Sequence, residues 1–253
     1  MKLIPRLMFN YKIVIEYDGT DYVGWQRQDN GISIQEAIEI SIFKLTGEEV
    51  NIFGAGRTDA GVHALGQVAN FILKKEFRTD NIRDGLNQYL RPQPIAILKA
   101  ELVNQNFHAR FSAIKRTYEY IITNRRAPLT ITKNKSWGVF KKLNFNKMTL
   151  EAKSFIGKNN LQAFRSAHCQ SNSALKTIDN ITIKNKYGDI IITVSAKSFL
   201  HSQVRIMVGT IVEIGKGKLL KSIKDIIKEE ERSQAGITAP ACGLYLVRVD
   251  YTD

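Results

Sequence analysis

One short glycine-rich run around a carboxylate is the stretch of this sequence best suited to chemistry. The run from Phe53 to Ala64 reads FGAGRTDAGVHA, with three glycines and with Arg57 two residues before Asp59. Glycine lets a backbone adopt positive φ and approach a ligand closely. An aspartate is ionised at neutral pH, and a nearby guanidinium favours that form. Asp59 is therefore a candidate nucleophile, base or metal ligand.

The run also has simpler interpretations. Aspartate and glycine are common turn residues, and an aspartate in such a turn often only bonds its own backbone. A dinucleotide-binding fingerprint would need its third glycine at position 59, which is Asp59. No G-K-[ST] sequence follows, which excludes a P-loop. The run is thus either a structural turn or a site of a different kind.

The run resembles the signature of the tRNA pseudouridine synthase A family, whose catalytic aspartate lies in a G-R-T-D-x-G-V-H-A motif. Further blocks match the family in order, so the resemblance extends from about residue 11 to residue 251. These blocks are Tyr17–Thr20, Gly24–Gln28, Phe107–Ser112, Arg116–Tyr120, Phe164–Ala167, Phe199–Arg205 and Ala239–Leu244.

The resemblance implies an isomerase that converts uridine to pseudouridine at positions 38, 39 and 40 of the tRNA anticodon stem-loop. The reaction cuts the C1′–N1 bond, turns the uracil and rejoins it through C5. No redox step occurs, so we expect no cofactor and no metal. By resemblance Asp59 is the carboxylate that acts, by attack on C1′, by attack on C6 or by removing the C2′ proton. The sequence leaves these three routes open.

The resemblance also assigns roles to three other side chains. Tyr118 would stack on the base and take the C5 proton, although by its pattern alone it is a strand aromatic packed in a core. Arg205 would pair with Asp59, because a buried arginine needs a partner; the alternative is a surface arginine with its stem along apolar groups. Arg57 would fill the space left by the everted base or simply contact a phosphate.

Composition and charge favour a polyanionic partner. Lys and Arg number 37 against 24 Asp and Glu, a net charge of +13, which makes nucleic acid the simplest partner. Basic pairs at 74–75, 125–126 and 141–142 are candidate phosphate contacts. The two cysteines and four histidines show no disulfide framework and no metal-ligand spacing. The histidines are His63, His108, His168 and His201.

The remaining features predict a cytoplasmic protein. No apolar run approaches the roughly 20 residues that span a bilayer, and the first ten residues lack a signal-peptide pattern. Two other functions remain open. One is a metal-dependent nuclease with Asp18, Asp21 and Asp59 as magnesium ligands, and the other is a non-catalytic RNA-binding module.

Periodicity indicates the elements that must position these residues. Alternation predicts strands, a capping box at Ser33 and Glu36 predicts a helix that stops at Gly47, and other apolar faces predict further helices. The predicted strands are 11–17, 50–53, 63–73, 95–103, 115–123, 176–184, 190–196 and 244–250. The predicted helices are 34–45, a helix capped by Thr79 or Asp80 that runs through Leu90, and 150–156, 201–214 and 219–230.

Each half of the chain interleaves about two helices with three or four strands, and hairpin-like links favour an α+β fold with antiparallel or mixed sheets. The resemblance implies two ferredoxin-like, RRM-like subdomains joined around a central active-site cleft. We expect an N-terminal subdomain, residues 1–112, with the Asp59 loop, and a C-terminal subdomain, residues 113–253, with Tyr118 and Arg205. It also implies a homodimer in which one tRNA spans both subunits.

Overall fold

The computed structural model describes residues 8–167 and 169–252, so His168 lies outside the described residues. The chain forms two compact units. The first contains the chain up to Ile114 together with the segment from Leu246 onward, and the second is Lys115–Tyr245. The final strand, Leu244–Tyr251, therefore begins in the second unit and continues in the first.

The first unit has the strand and helix order of a ferredoxin-like domain. Its elements are β1 (Phe9–Tyr17), α1 (Ile34–Thr46), β2 (Phe53–Gly54), β3 (His63–Leu73), α2 (Thr79–Leu90) and β4 (Ile95–Val103). The strand order is β4-β1-β3, with β2 also paired to β3, and each of these pairs is antiparallel. A β-α-β-β-α-β chain with this strand order has the ferredoxin-like topology.

The second unit is also built from strands and helices. Its elements are β5 (Ala113–Thr123), β6 (Trp137–Gly138), α3 (Phe145–Ala152), β7 (Gly157–Asn160), β8 (Leu175–Lys186), β9 (Asp189–Ala196), α4 (Gln203–Gly215) and α5 (Ile223–Glu229), followed by the start of β10 (Leu244–Tyr251). The order is β5-β9-β8-β7 with antiparallel pairs, and β6 runs parallel to β5. The predicted α+β class with antiparallel and mixed sheets is confirmed.

Helix α1 forms where local sequence predicts it. The Ser33 hydroxyl accepts the backbone N–H of Glu36 at 3.1 Å, as an N-cap should. Gly47 has φ of 72° and donates its N–H to the Phe43 carbonyl, the left-handed C-cap that glycine favours. The apolar stripe predicted for this helix is Ile34, Ala37, Ile38, Ile42 and Leu45; the first four are buried, and Leu45 is partly exposed.

Elsewhere the boundaries differ from the prediction. Helix α3 starts at Phe145, because the Asn144 side chain accepts the N–H of Lys147 at 3.0 Å and caps it there. The predicted helix at 150–156 is instead the end of α3 and a 3₁₀ turn at Lys153–Phe155. Strand β7 was not predicted, since its sequence GKNN has no alternating apolar residues.

Among the helices that the structure describes, none is long and apolar enough to cross a membrane.

Candidate active site

The loop that carries Asp59 joins β2 to β3 and is fixed to β3 at its start. The Ala55 N–H donates to the Val68 carbonyl at 2.7 Å. The Gln67 side-chain amide donates to the Gly56 carbonyl at 2.8 Å, and Gln67 is fully buried. A buried hydrogen bond of this kind holds the backbone in one place. The first turn of the loop is therefore part of the sheet's edge.

Thr58, the residue before Asp59, is held by contacts with Trp25 and Tyr17. The Thr58 carbonyl accepts the backbone N–H of Trp25 at 3.1 Å. The Thr58 hydroxyl lies 2.7 Å from the Tyr17 hydroxyl, and both groups are buried. The Asp59 carbonyl accepts the N–H of Val62 at 3.1 Å and closes a turn, while the Asp59 side chain is half-exposed. The carboxylate thus stands on a rigid backbone.

Gly24 lets the segment before α1 approach the Asp59 loop closely. Its φ is +112°, and a Cβ built there would lie 2.6 Å from the Thr58 carbonyl oxygen. We expect Gly24→Ala to lower the free energy of unfolding by roughly 1–3 kcal/mol more than Gly47→Ala does. Gly47 also has positive φ, +72°, but open space around its Cβ position, so it is the control for replacing a positive-φ glycine where the new methyl group meets nothing. Urea unfolding of the two variants measures the difference, and equal losses would contradict the clash.

His63 contacts the segment that follows β1. Its Nδ1 atom accepts the backbone N–H of Gly19 at 3.1 Å and lies 3.0 Å from Asp18 Oδ1. That carboxylate also accepts the Thr20 hydroxyl at 2.6 Å. A Cβ at Gly19 would lie 2.0 Å from the Val62 carbonyl oxygen. These contacts hold the segment after β1 against the end of the Asp59 loop, and the sequence analysis had not found them.

Arg57 and Trp25, which also lie in stretches that match the family, differ in their exposure to solvent. The Arg57 side chain is exposed in the same loop as Asp59, where it can reach a ligand. Trp25 is only 3% exposed, and its indole ring would lie 2.5 Å from a Cβ at Gly54. Trp25 therefore packs beneath the loop, and the bare Gly54 backbone makes room for its ring.

Tyr118 projects from β5 in the second unit. It pairs with Val194 of β9 in the sheet register, and its side chain is 7% exposed. Its ring meets the Phe199 ring edge to face, with centroids 5.3 Å apart and an interplanar angle of 88°. This is a favourable aromatic geometry, and it fixes the direction in which the phenol points.

Arg205 lies in the first turn of α4, and its guanidinium is oriented by backbone. Its Nε–H donates to the Ala239 carbonyl at 2.8 Å, and the Ala239 N–H donates back to the Arg205 carbonyl at 3.1 Å. A Cβ at Gly209 would lie 1.8 Å from the Ile237 carbonyl oxygen. The helix therefore packs closely on the segment that anchors Arg205, and only glycine allows this.

The segment after Ala239 is anchored in turn by Tyr120 of β5. The Tyr120 hydroxyl donates to the Pro240 carbonyl at 2.7 Å. Burial raises the pKa of Tyr120 well above its usual range, so the phenol remains a neutral donor. A Cβ at Gly243 would lie 2.6 Å from its ring. The matched block at residues 239–244 thus serves as the support for Arg205.

The four predicted site residues are divided equally between the two units. Arg57 and Asp59 belong to the first, and Tyr118 and Arg205 belong to the second. Within the described ranges, no group of three His, Cys, Asp or Glu side chains could hold a metal ion. Asp18, Asp21 and Asp59 therefore do not form the cation site that the nuclease hypothesis needs.

The predicted basic pairs all lie at the surface, where long cationic side chains can reach phosphates. The exposed members are Lys74, Lys75, Arg125, Arg126, Lys141 and Lys142.

Comparisons with known proteins show the family to which this chain belongs. The family model for tRNA pseudouridine synthase matches residues 13–112 and 152–252. The chain is 47% identical over 245 residues to tRNA pseudouridine synthase A of Afipia carboxidovorans, covering 96% of this chain and 100% of that protein. It is 50% identical over 243 residues to the protein of that name in Wolbachia pipientis wMel, covering 95% and 99%. The chain belongs to the tRNA pseudouridine synthase family, whose members are isomerases that convert uridine to pseudouridine in tRNA.

Proposed function

We propose that this chain isomerises uridine to pseudouridine at positions 38, 39 and 40 of the tRNA anticodon stem-loop. The observation that carries the proposal is the Asp59 loop, held by β3 on one side and by Trp25 on the other, in a chain of this family. A carboxylate on a rigid backbone is preorganised for a reaction at a fixed sugar or base atom. The reaction needs no cofactor, because the uracil is both leaving group and returning nucleophile.

Asp59 is the proposed catalytic carboxylate. Its half-exposed side chain can reach a nucleotide that has been taken out of its stack, which costs a few kcal/mol. Attack on C1′, attack on C6 and removal of the C2′ proton all begin from an ionised carboxylate. We propose that Arg205 pairs with it, since the bond from Nε to Ala239 fixes the guanidinium plane. Arg57, on the same loop, would occupy the space left by the everted base.

Tyr118 is the proposed acceptor of the C5 proton after the uracil is rejoined. Tyr118→Phe keeps the ring and its edge-to-face contact with Phe199 but removes the hydroxyl. We expect turnover at saturating tRNA to fall by about 10²–10⁴-fold, the usual range for loss of a general base, with tRNA affinity changed little. Single-turnover kinetics and a binding titration measure the two quantities. A variant with full turnover would remove the phenol from the mechanism.

The function is tested with purified protein and an unmodified tRNA transcript. Because pseudouridine has the same mass as uridine, carbodiimide mapping with mass spectrometry detects the product. We expect modification at positions 38–40 with the RNA intact, and equal activity in EDTA. Chelator-sensitive strand cleavage would support the nuclease instead. Tight, salt-sensitive binding without any chemical change would support a non-catalytic RNA-binding module.

The remaining proposals concern assembly and location. By resemblance to the family we propose a homodimer in which one tRNA contacts both subunits, acting in the cytoplasm. Light scattering at micromolar concentration, with and without tRNA, gives the subunit and complex stoichiometry. A protein that stays monomeric with and without tRNA would contradict the shared arrangement.

A further inference from the structure

Three aromatic rings and a guanidinium form an exposed cluster on the first unit, apart from the residues proposed above for catalysis. The ring centroids of Phe53 and His108 are 5.1 Å apart, and those of His108 and Phe111 are 4.4 Å apart. The guanidinium carbon of Arg110 lies 5.6 Å from the centroid of the Phe111 ring. We call these four residues the aromatic platform.

The platform presents its rings to solvent. The Phe111 side chain is 74% exposed and that of Phe53 is 44% exposed. Single exposed apolar residues are ordinary on protein surfaces. Here, however, the rings contact one another and a cation lies beside the outermost ring. A flat π surface next to a cation suits a nucleobase, which stacks on aromatic faces while its phosphate is attracted to the guanidinium.

The backbone beneath the platform is fixed. The Ala109 N–H donates to the Asn70 side-chain carbonyl at 2.9 Å, and the Ala109 carbonyl accepts the Tyr251 hydroxyl at 2.8 Å. The Arg110 N–H donates to His108 Nδ1 at 3.1 Å, which sets the orientation of that ring. A ligand would therefore meet a surface that needs little ordering, and ordering is one of the main costs of binding.

The platform shares its anchor with the loop that carries Asp59. Phe53 lies in β2, which leads directly into that loop, and it pairs with Asn70 of β3. Asn70 is the residue that also holds Ala109. When a uridine is everted toward Asp59, the nucleotides beside it lose a stacking partner. A second stacking surface tied to the same strand can replace that partner.

We propose that the aromatic platform stacks an unpaired nucleobase of the RNA substrate, beside the uridine held at Asp59. The inference rests on the proposed function, because it takes the RNA substrate from there. A net charge of +13 attracts a polyanion such as RNA.

The test compares substitutions at Phe111 that keep or remove the π face. We expect Phe111→Ala and Phe111→Leu to weaken binding of unmodified tRNA by about 10-fold, the scale of one stacked base, and Phe111→Tyr to bind within about 2-fold of the wild type. The ratio of each variant's tRNA affinity to that of the wild type should be the same at low and high salt, because stacking releases no counterions. Tyr187→Ala is the control, since Tyr187 is 97% exposed on a hairpin of the second unit.

The contacted base is located with tRNA stem-loops that carry a single abasic position. Removal of the base at one position should weaken binding by the wild type. The same abasic RNA should bind Phe111→Ala as well as the intact RNA does, as expected when both changes remove the same contact. Equal affinities for Phe111→Ala and wild type would overturn the inference, as would full rescue by leucine. A change in oligomeric state with unchanged RNA affinity per dimer would assign the platform to a second copy and also overturn it.

Failure of this inference is distinguishable from failure of the proposed function. Binding is measured without catalysis, so the platform is tested whether or not pseudouridine forms. Wild-type protein that modifies tRNA while Phe111→Ala binds normally would leave the isomerase and remove the platform. Wild-type protein that binds through Phe111 without modifying tRNA would leave the platform and remove the isomerase.

Discussion

Replacing Asp59 by asparagine should lower the rate of pseudouridine formation by at least about 10³-fold, while tRNA affinity stays within a few-fold of the wild type. Asparagine has nearly the same shape but no negative charge, so it can neither attack a carbon atom nor accept a proton as a carboxylate does. Loss of a group that acts only in the reaction lowers turnover rather than binding. Single-turnover kinetics with saturating enzyme measure the chemical step.

The control for this variant is Asp21→Asn. Asp21 is an exposed aspartate of the same unit, so its substitution removes the same charge with the same change of shape. We expect it to retain wild-type turnover. The Asp59 variant keeps the backbone bond from the Val62 N–H to the Asp59 carbonyl that closes the turn, and thermal unfolding checks that its fold is unchanged. Wild-type turnover in Asp59→Asn would refute the assignment of the carboxylate.

Replacing Arg205 by alanine should lower turnover by about 10²-fold, the scale of one lost charge-stabilising donor, and tRNA affinity by much less. A residue that only contacted phosphate would show the reverse, with weaker binding and a smaller salt dependence. Arg205→Lys separates charge from orientation, because lysine keeps the charge but has no Nε–H to donate to the Ala239 carbonyl. We expect its turnover to lie between those of alanine and wild type.

Arg83→Ala is the matched control for the loss of one positive charge. Arg83 lies on α2, is 45% exposed and makes an ion pair with Asp84 at 2.7 Å. Its removal should change tRNA affinity only slightly and turnover not at all. Thermal unfolding of Arg205→Ala must accompany the kinetics, since the lost bond to Ala239 also supports the packing of α4. A pure binding defect in Arg205→Ala, with normal turnover at saturation, would contradict its pairing with Asp59.

Elements with a strong local signal could be predicted from the sequence. Helix α1 has its cap at Ser33, its stop at Gly47 and a regular apolar stripe, and each of these features acts within a few residues. The alternating pattern of β3 likewise placed His63–Leu73 correctly. Strand β7, with the sequence GKNN, has no such signal, and its pairing with β8 comes from tertiary packing. Helix α3 was predicted too far along the chain, at 150–156, because its Asn144 cap was not recognised.

The sequence by itself determined the candidate chemistry, because the run around Asp59 resembles the family motif, whereas residue types and spacing alone also fit a structural turn. Only the tertiary structure decided what holds these groups in place. Thr58 is fixed by Tyr17, 41 residues away, and Arg205 by Ala239, 34 residues away. Periodicity reports which face of an element is buried, whereas these hydrogen bonds depend on how distant segments pack, which no local pattern encodes.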